Sequence, residues 1–213
     1  MSDNSSVIDK SQDLEKIAQQ ASDCTKCSLY KTATKAVPGA GNPEAEIVFI
    51  GEAPGYWEDQ KGVPFVGAAG NLLNKLLIEI GMNRDDVYIC NILKHRTPNN
   101  RDPQENEIQA CTPYLKEQLL IIKPKLVITL GRFAMNYFLP SAFISKVHGV
   151  SRKISWQDFS LTLFPVYHPA AALRNGKMLE ALRQDFAKIP DLLGASKIPQ
   201  KKQEKKPSQG SLF

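Results

Sequence analysis

Four short apolar runs, separated by segments with helical spacing, constrain this chain more than any other feature. Ile47-Val48-Phe49-Ile50 stops at Gly51, residues 87–93 are strand-like, Leu126–Leu130 stops at Gly131-Arg132, and residues 161–167 form a last run broken by Pro165. Runs that are apolar throughout, without alternation, suit strands buried on both faces. Between them, apolar positions 69, 72, 73, 76, 77 and 80 recur at helical spacing until Gly81. Asp102-Pro103-Gln104-Glu105 reads as a capping signature, with Asp102 as the cap and Pro103 at the first helical position, opening a helix to about residue 120. Shorter helical patterns cover 12–21, 132–139 and 178–189, residues 32–43 read as loop, and there is no internal repeat. Strands alternating with helices imply an α/β fold of three layers, with a central four-stranded parallel sheet flanked by helices.

In such sheets ligands bind beyond the carboxyl ends of the strands. That rule selects Gly51-Glu52-Ala53-Pro54-Gly55, Asn91, Gly131-Arg132 and His168-Pro169. The cysteines supply a second signal, at 24, 27, 90 and 111. Cys24-Thr25-Lys26-Cys27 is a CxxC, which presents two thiolates to one metal or cluster, or forms a redox pair. A thioredoxin-like CxxC would follow a strand and open a helix, whereas this one lies between a helical segment and a Gly/Pro-rich stretch. Two further cysteines favour a metal or iron–sulfur site, the alternative being buried structural thiols.

No apolar run approaches the roughly 18 residues that a membrane span needs. The first residues, MSDNSSVIDKSQDLEK, are polar and acidic, unlike a signal or transit peptide, so a cytoplasmic protein is expected, in which a disulfide framework would be out of place. The 213 residues carry a formal charge of +5, but the segment from 197 to 213 holds five Lys and one Glu. The body is near neutral, so a nucleic-acid footprint on it must be a local patch.

The segments GEAPGYWEDQKGVPFVGAAGNLL, VYICNILKHRTPNNRDPQENEIQAC, LVITLGRFA and VYHPAAALRN, in this order and together with the CxxC, resemble the family 4 uracil-DNA glycosylases. The resemblance covers roughly residues 15–190. It implies an α/β fold with a 4Fe–4S cluster, removal of uracil from DNA, and a role in starting base excision repair. Phe65 matches the position that stacks on uracil, and Asn91 the residue that reads it. An amide accepts from N3–H and donates to O4, whereas cytosine presents the opposite pattern. His168 would stabilise charge at O2 of the departing base. The turn from Gly51 through Ala53 to Gly55 would bring backbone N–H groups against uracil and a phosphate. In family 1 enzymes the corresponding loop carries a water-positioning aspartate where this chain has Ala53, so Glu52 becomes the first choice for that task, with Glu58 or Asp59 in reserve. A non-catalytic iron–sulfur DNA-binding module and a CxxC redox protein are the competing readings.

The cluster ligands implied are Cys24, Cys27, Cys111 and, where family members usually have cysteine, His95. Imidazole ligates iron–sulfur clusters in Rieske centres. Cys90 competes for the fourth position, but neighbouring strand residues point to opposite faces, so Cys90 faces the core if Asn91 faces the pocket. Residues 1–193 are expected to form the glycosylase domain and 194–213 a disordered basic tail. The tail ends in Gln209-Gly210-Ser211-Leu212-Phe213, which resembles the bacterial sliding-clamp-binding pentapeptide with Gly where Leu is usual at the second place. The expected partners are thus uracil-containing DNA and the sliding clamp, bound by a monomer.

Overall fold

The computed structural model describes residues 9–194. In chain order the elements are α1 (Lys10–Ser22), β1 (Ala40–Gly41), β2 (Ile47–Gly51), α2 (Tyr56–Lys61), α3 (Ala68–Glu79), β3 (Tyr88–Asn91), α4 (Glu105–Ile122) and β4 (Leu126–Leu130). They continue with α5 (Arg132–Phe138), α6 (Ile144–Val147), β5 (Arg152–Trp156), β6 (Phe159–Val166), α7 (Pro169–Ala172), α8 (Gly176–Ala187) and α9 (Ile189–Leu192). Among these helices none is long and apolar enough to cross a membrane.

The sheet order is β1-β3-β2-β4-β6-β5. Its four middle strands, β3, β2, β4 and β6, are mutually parallel and are the four apolar runs of the sequence. Two antiparallel edges were not expected: β1 pairs with β3, and β5 forms a hairpin with β6. Two residues are too few to show a period, and the alternating, largely exposed RKISW of β5 lacks a continuous apolar run. Pro165 does not break β6. The β5 pairing ends at Leu163, so the missing N–H of Pro165 lies past the covering edge strand, and its carbonyl accepts from Gly149 N at 2.8 Å.

The period-two geometry of β2 divides the core between two faces. Val48 and Ile50 join Ile17, Leu115 and Leu119 on the side covered by α1 and α4. Ile47 and Phe49 join Leu73, Leu76, Leu77 and Phe186 on the side of α3 and α8, with the Phe49 and Phe186 rings stacked 5.8 Å apart. The start of α4 differs from the sequence expectation. Gln104 is the cap and Glu107 its reciprocal partner, receiving Gln104 N at 2.8 Å, while Asp102 lies outside the helix and pairs with Arg132. Asp102 thereby places its charge near Glu52 at the strand ends.

The packing of α3 can be checked directly. Leu76 is fully buried and Ile78 is 68% exposed. Leu76→Ala should destabilise the protein by about 3 kcal/mol in urea unfolding, through lost burial and the cavity left behind. Ile78→Ala should change stability by less than about 0.5 kcal/mol.

Candidate active site

Gly51 and Asn91 are directly paired at the carboxyl ends of β2 and β3. A Cβ at position 51 would lie 2.3 Å from Asn91 Oδ1 and 2.7 Å from Phe65 Cζ. The two side chains therefore converge over a backbone that has no side chain of its own. Asn91 is almost fully buried, and its Oδ1 has no hydrogen-bond partner among the described residues. A buried carbonyl left unpaired costs free energy unless a ligand satisfies it. The ring of Phe65 faces that of His168 across 5.8 Å at an interplanar angle of 29°.

Phe65 has φ +52°, an uncommon conformation for a bulky residue. Three neighbours impose it. Arg84 donates to Phe65 O at 3.1 Å and also to Pro64 O, Glu58 Oε1 accepts from both Val66 N and Gly67 N at 2.9 Å, and Gly70 leaves room for the Phe65 carbonyl, which a Cβ there would meet at 1.9 Å. Glu58 is thus occupied in holding this loop. Asp59 is likewise engaged, its Oδ1 accepting from Thr34 N at 2.8 Å.

His168 caps α7, and its Nδ1 accepts from Ala170 N at 3.1 Å. This assigns the ring proton to Nε2. Burial pushes the imidazole down to about 4, outweighing the Glu58 carboxylate, so near neutral pH the ring is an uncharged donor. Gly131, at φ +87°, admits this residue; a Cβ there would lie 3.0 Å from His168 Cβ. Glu52 is half-buried, and burial with the nearby Asp102 charge raises it to about 7 against the opposing pull of Arg132. Ala53 packs against the α1/α4 side of the core, and Gly55 caps α2, where a Cβ would meet Glu58 Oε2 at 2.7 Å.

The cysteines meet on the other side of β3. Cys24 follows α1, Cys27 caps the short 3-10 turn Ser28–Lys31, and Cys111 lies in α4. Cys111 feels both Cys27 and Cys24 electrostatically, and its thiol is pushed up to about 11 mainly by burial. Cys24 and His95 line one open cavity of about 410 Å³, together with Tyr30 and Lys35. Among the described residues no group of His, Cys, Asp and Glu could hold a single metal ion. Thiolates are the soft donors that iron–sulfur clusters use, and imidazole can replace thiolate on iron, so the donor types of Cys24, Cys27, Cys111 and His95 fit such a group. Cys90 is fully buried within the hydrophobic core.

Sequence reasoning missed Arg84 and Lys94. Lys94 is fully buried and donates to Asn91 O and Gln118 Oε1, both at 2.8 Å, while its main-chain N donates to Cys111 Sγ at 3.1 Å. Gln118 completes the network with bonds to Pro38 O and the Tyr88 hydroxyl. One lysine thus links the Asn91 strand end to Cys111. No local signal marks it, because a lysine beside an apolar run usually faces water. His148, given no role from the sequence, lies 2.7 Å from Asp185 Oδ2, and its ring packs at a tilt against Tyr167, the residue before His168, with centroids 4.2 Å apart.

A mixed sheet with four parallel middle strands, flanked by helices, has the fold of the uracil-DNA glycosylase superfamily. The model of that superfamily matches residues 38–189. Curated type-4 uracil-DNA glycosylases are similar over most of their length: that of Sulfurisphaera tokodaii is 49% identical, covering 84% of both chains. The one from Saccharolobus solfataricus is 47% identical over 87% of this chain and 88% of its own, and that of Archaeoglobus fulgidus 46% over 85% and 94%. The chain belongs to the type-4 uracil-DNA glycosylases.

Glu52 should carry a measurable stability cost. Its carboxyl titrates near 4.5 when exposed and at about 7 when folded, so the folded state holds the proton more tightly and stability falls as pH rises between those values. Allowing for solvent screening of this half-exposed group, Glu52→Gln should stabilise the protein by about 1–2 kcal/mol at pH 8. The gain should shrink at pH 5, as read by urea unfolding at both values.

Proposed function

We propose that the protein hydrolyses the N-glycosidic bond of deoxyuridine in DNA as a monofunctional glycosylase, leaving an abasic site and initiating base excision repair. The observation that carries this reading is the buried, unpartnered Asn91 Oδ1 beside the Phe65 ring. A target base cannot be reached inside a duplex, so it must be extruded into a pocket that reads its edge and face. Asn91 Oδ1 accepts from uracil N3–H and its amide N–H donates to O4. Cytosine would set a lone pair and an amino group against the same atoms, leaving both mispaired. Phe65 stacks on the base, and the turn through Gly51, Ala53 and Gly55 presents main-chain groups at close range.

Bond cleavage leaves negative charge on uracil O2. His168 donates from Nε2 to that oxygen. Because the ring is already neutral, no proton need be lost before it acts, and the Ala170 N–H keeps the tautomer in place. Glu52, raised to about 7, is partly ionised at neutral pH and orients the water that attacks the sugar. The reacting groups include no lysine able to form a Schiff base, so strand cleavage does not accompany base loss.

Cys24, Cys27, Cys111 and His95 would hold a 4Fe–4S cluster. Such a cluster would supply a rigid cross-link between the segments before β1 and after β3. Cys111 already receives the Lys94 amide, which suits a thiolate carrying charge. Residues 195–213, with the pentapeptide 209–213, lie outside the described residues. The sequence of that pentapeptide supports binding to a sliding clamp, with residues 1–193 as a cytoplasmic, monomeric catalytic domain.

Two measurements test this reading. Incubation with a uracil-containing oligonucleotide should yield alkali-labile abasic sites, and His168→Ala should lower kcat by about a hundredfold or more with little change in KM, as loss of a preorganised donor does. Absence of abasic sites from both single- and double-stranded substrate would refute the glycosylase assignment. For the cluster, iron content should fall in Cys111→Ser and His95→Ala but persist in Cys90→Ser; the reverse pattern would move the fourth ligand to Cys90.

A further inference from the structure

The helix that follows the glycine-rich turn of the site exposes two large aromatic rings side by side. Tyr56 and Trp57 are 51% and 56% exposed, with ring centroids 5.1 Å apart at an interplanar angle of 77°. Large apolar rings left in water at adjacent positions mark a contact surface more often than scattered single residues do. Arg96 adds a cation, its guanidinium carbon lying 5.3 Å from the Tyr56 ring centroid. Its Nε donates to the neutral Asn100 Oδ1 at 2.8 Å, and Arg96 takes part in no ion pair among the described residues.

The group is continuous with the base pocket. Gly55, the last residue of the strand-end turn, caps α2, so Tyr56 and Trp57 are the next two residues after it. Trp57 also borders the Phe65 segment, since a Cβ on Gly67 would lie 3.5 Å from Trp57 Cδ1. Glu58, the next residue of the same helix, holds Val66 N and Gly67 N at 2.9 Å. Arg96 comes from the loop after β3, the strand that carries Asn91. All three residues are therefore tied to the walls of the pocket and form its outer rim.

We propose that Tyr56, Trp57 and Arg96 form a stacking platform for an unpaired nucleobase of the single-stranded DNA segment flanking the excised uracil. This rests on the reading of the chain as a uracil-DNA glycosylase and specifies the strand form that the rim favours. Aromatic faces accept any base, and an arginine not neutralised by a carboxylate attracts the adjoining phosphate. In a duplex the flanking base stays stacked and paired, so it cannot turn onto Trp57. The platform therefore acts on single strands.

The experiment compares kcat/KM on a single-stranded uracil oligonucleotide and on the duplex of the same sequence. Trp57→Ala should lower the single-strand value about tenfold relative to the duplex value, within the range that loss of one base–aromatic stack produces. The change should lie in KM, and Trp57→Phe should recover most of it. An equal loss on both substrates, or no loss on single strands, would overturn the platform. A second arm needs no catalysis. The chain has two tryptophans, so Trp156→Phe leaves Trp57 as the sole indole. A uracil-free single-stranded oligonucleotide should quench its fluorescence, and absence of quenching would also overturn the proposal. Failure of excision with quenching intact would fall on the glycosylase reading alone.

Discussion

A methyl group at position 51 would sit 2.3 Å from Asn91 Oδ1 and 2.7 Å from Phe65 Cζ, and the rest of the site depends on that space being free. Glycine at the end of β2 is required here for room, since its backbone is ordinary extended strand. The close approach has consequences elsewhere. Phe65 reaches its place only in a left-handed conformation, which Arg84 and Glu58 stabilise by binding the main chain on both sides of it. Gly70 then clears the opposite side of the same peptide. The strand-end site is thus assembled mostly from main-chain hydrogen bonds and missing side chains.

Burial acts on the two titratable groups of the pocket in opposite directions. It lowers His168, keeping a neutral donor, and raises Glu52, leaving a carboxyl poised near neutrality. Both shifts follow from the same cause, because removing water disfavours the charged form whichever form that is. Two groups with separated tasks arise without a direct bond between them. Lys94 extends the argument to the cysteine side, because its ammonium group binds the main chain of Asn91 and its amide binds Cys111. Changes around Cys111 can therefore reach Asn91 through one buried residue.

Much of this architecture is legible along the chain. The four parallel strands are visible because strands covered on both faces are apolar at every position, and α3 because its apolar residues recur at helical spacing. The strand-end rule, applied to those runs, selects Gly51, Glu52, Asn91, Gly131 and His168 from the sequence alone. The edge strands β1 and β5 were not legible, being too short or too exposed to leave a pattern. Asp102 was misread as a helix cap because a local signature does not reveal that Arg132, 30 residues away, holds its side chain instead.

The sequence by itself determined the layers, the order of the motifs and the chemical types available at the strand ends, since these follow from local periodicity and residue identity. Tertiary structure decided which of those groups are free to act. Glu58 and Asp59, the reserve choices behind Glu52 in the sequence, each hold backbone N–H groups of another loop through one carboxylate oxygen. Likewise Asn91 is marked by a buried acceptor that has no hydrogen-bond partner among the described residues. Free and occupied hydrogen-bonding atoms are a property of what the fold brings within 3 Å or so, and no window of sequence contains it.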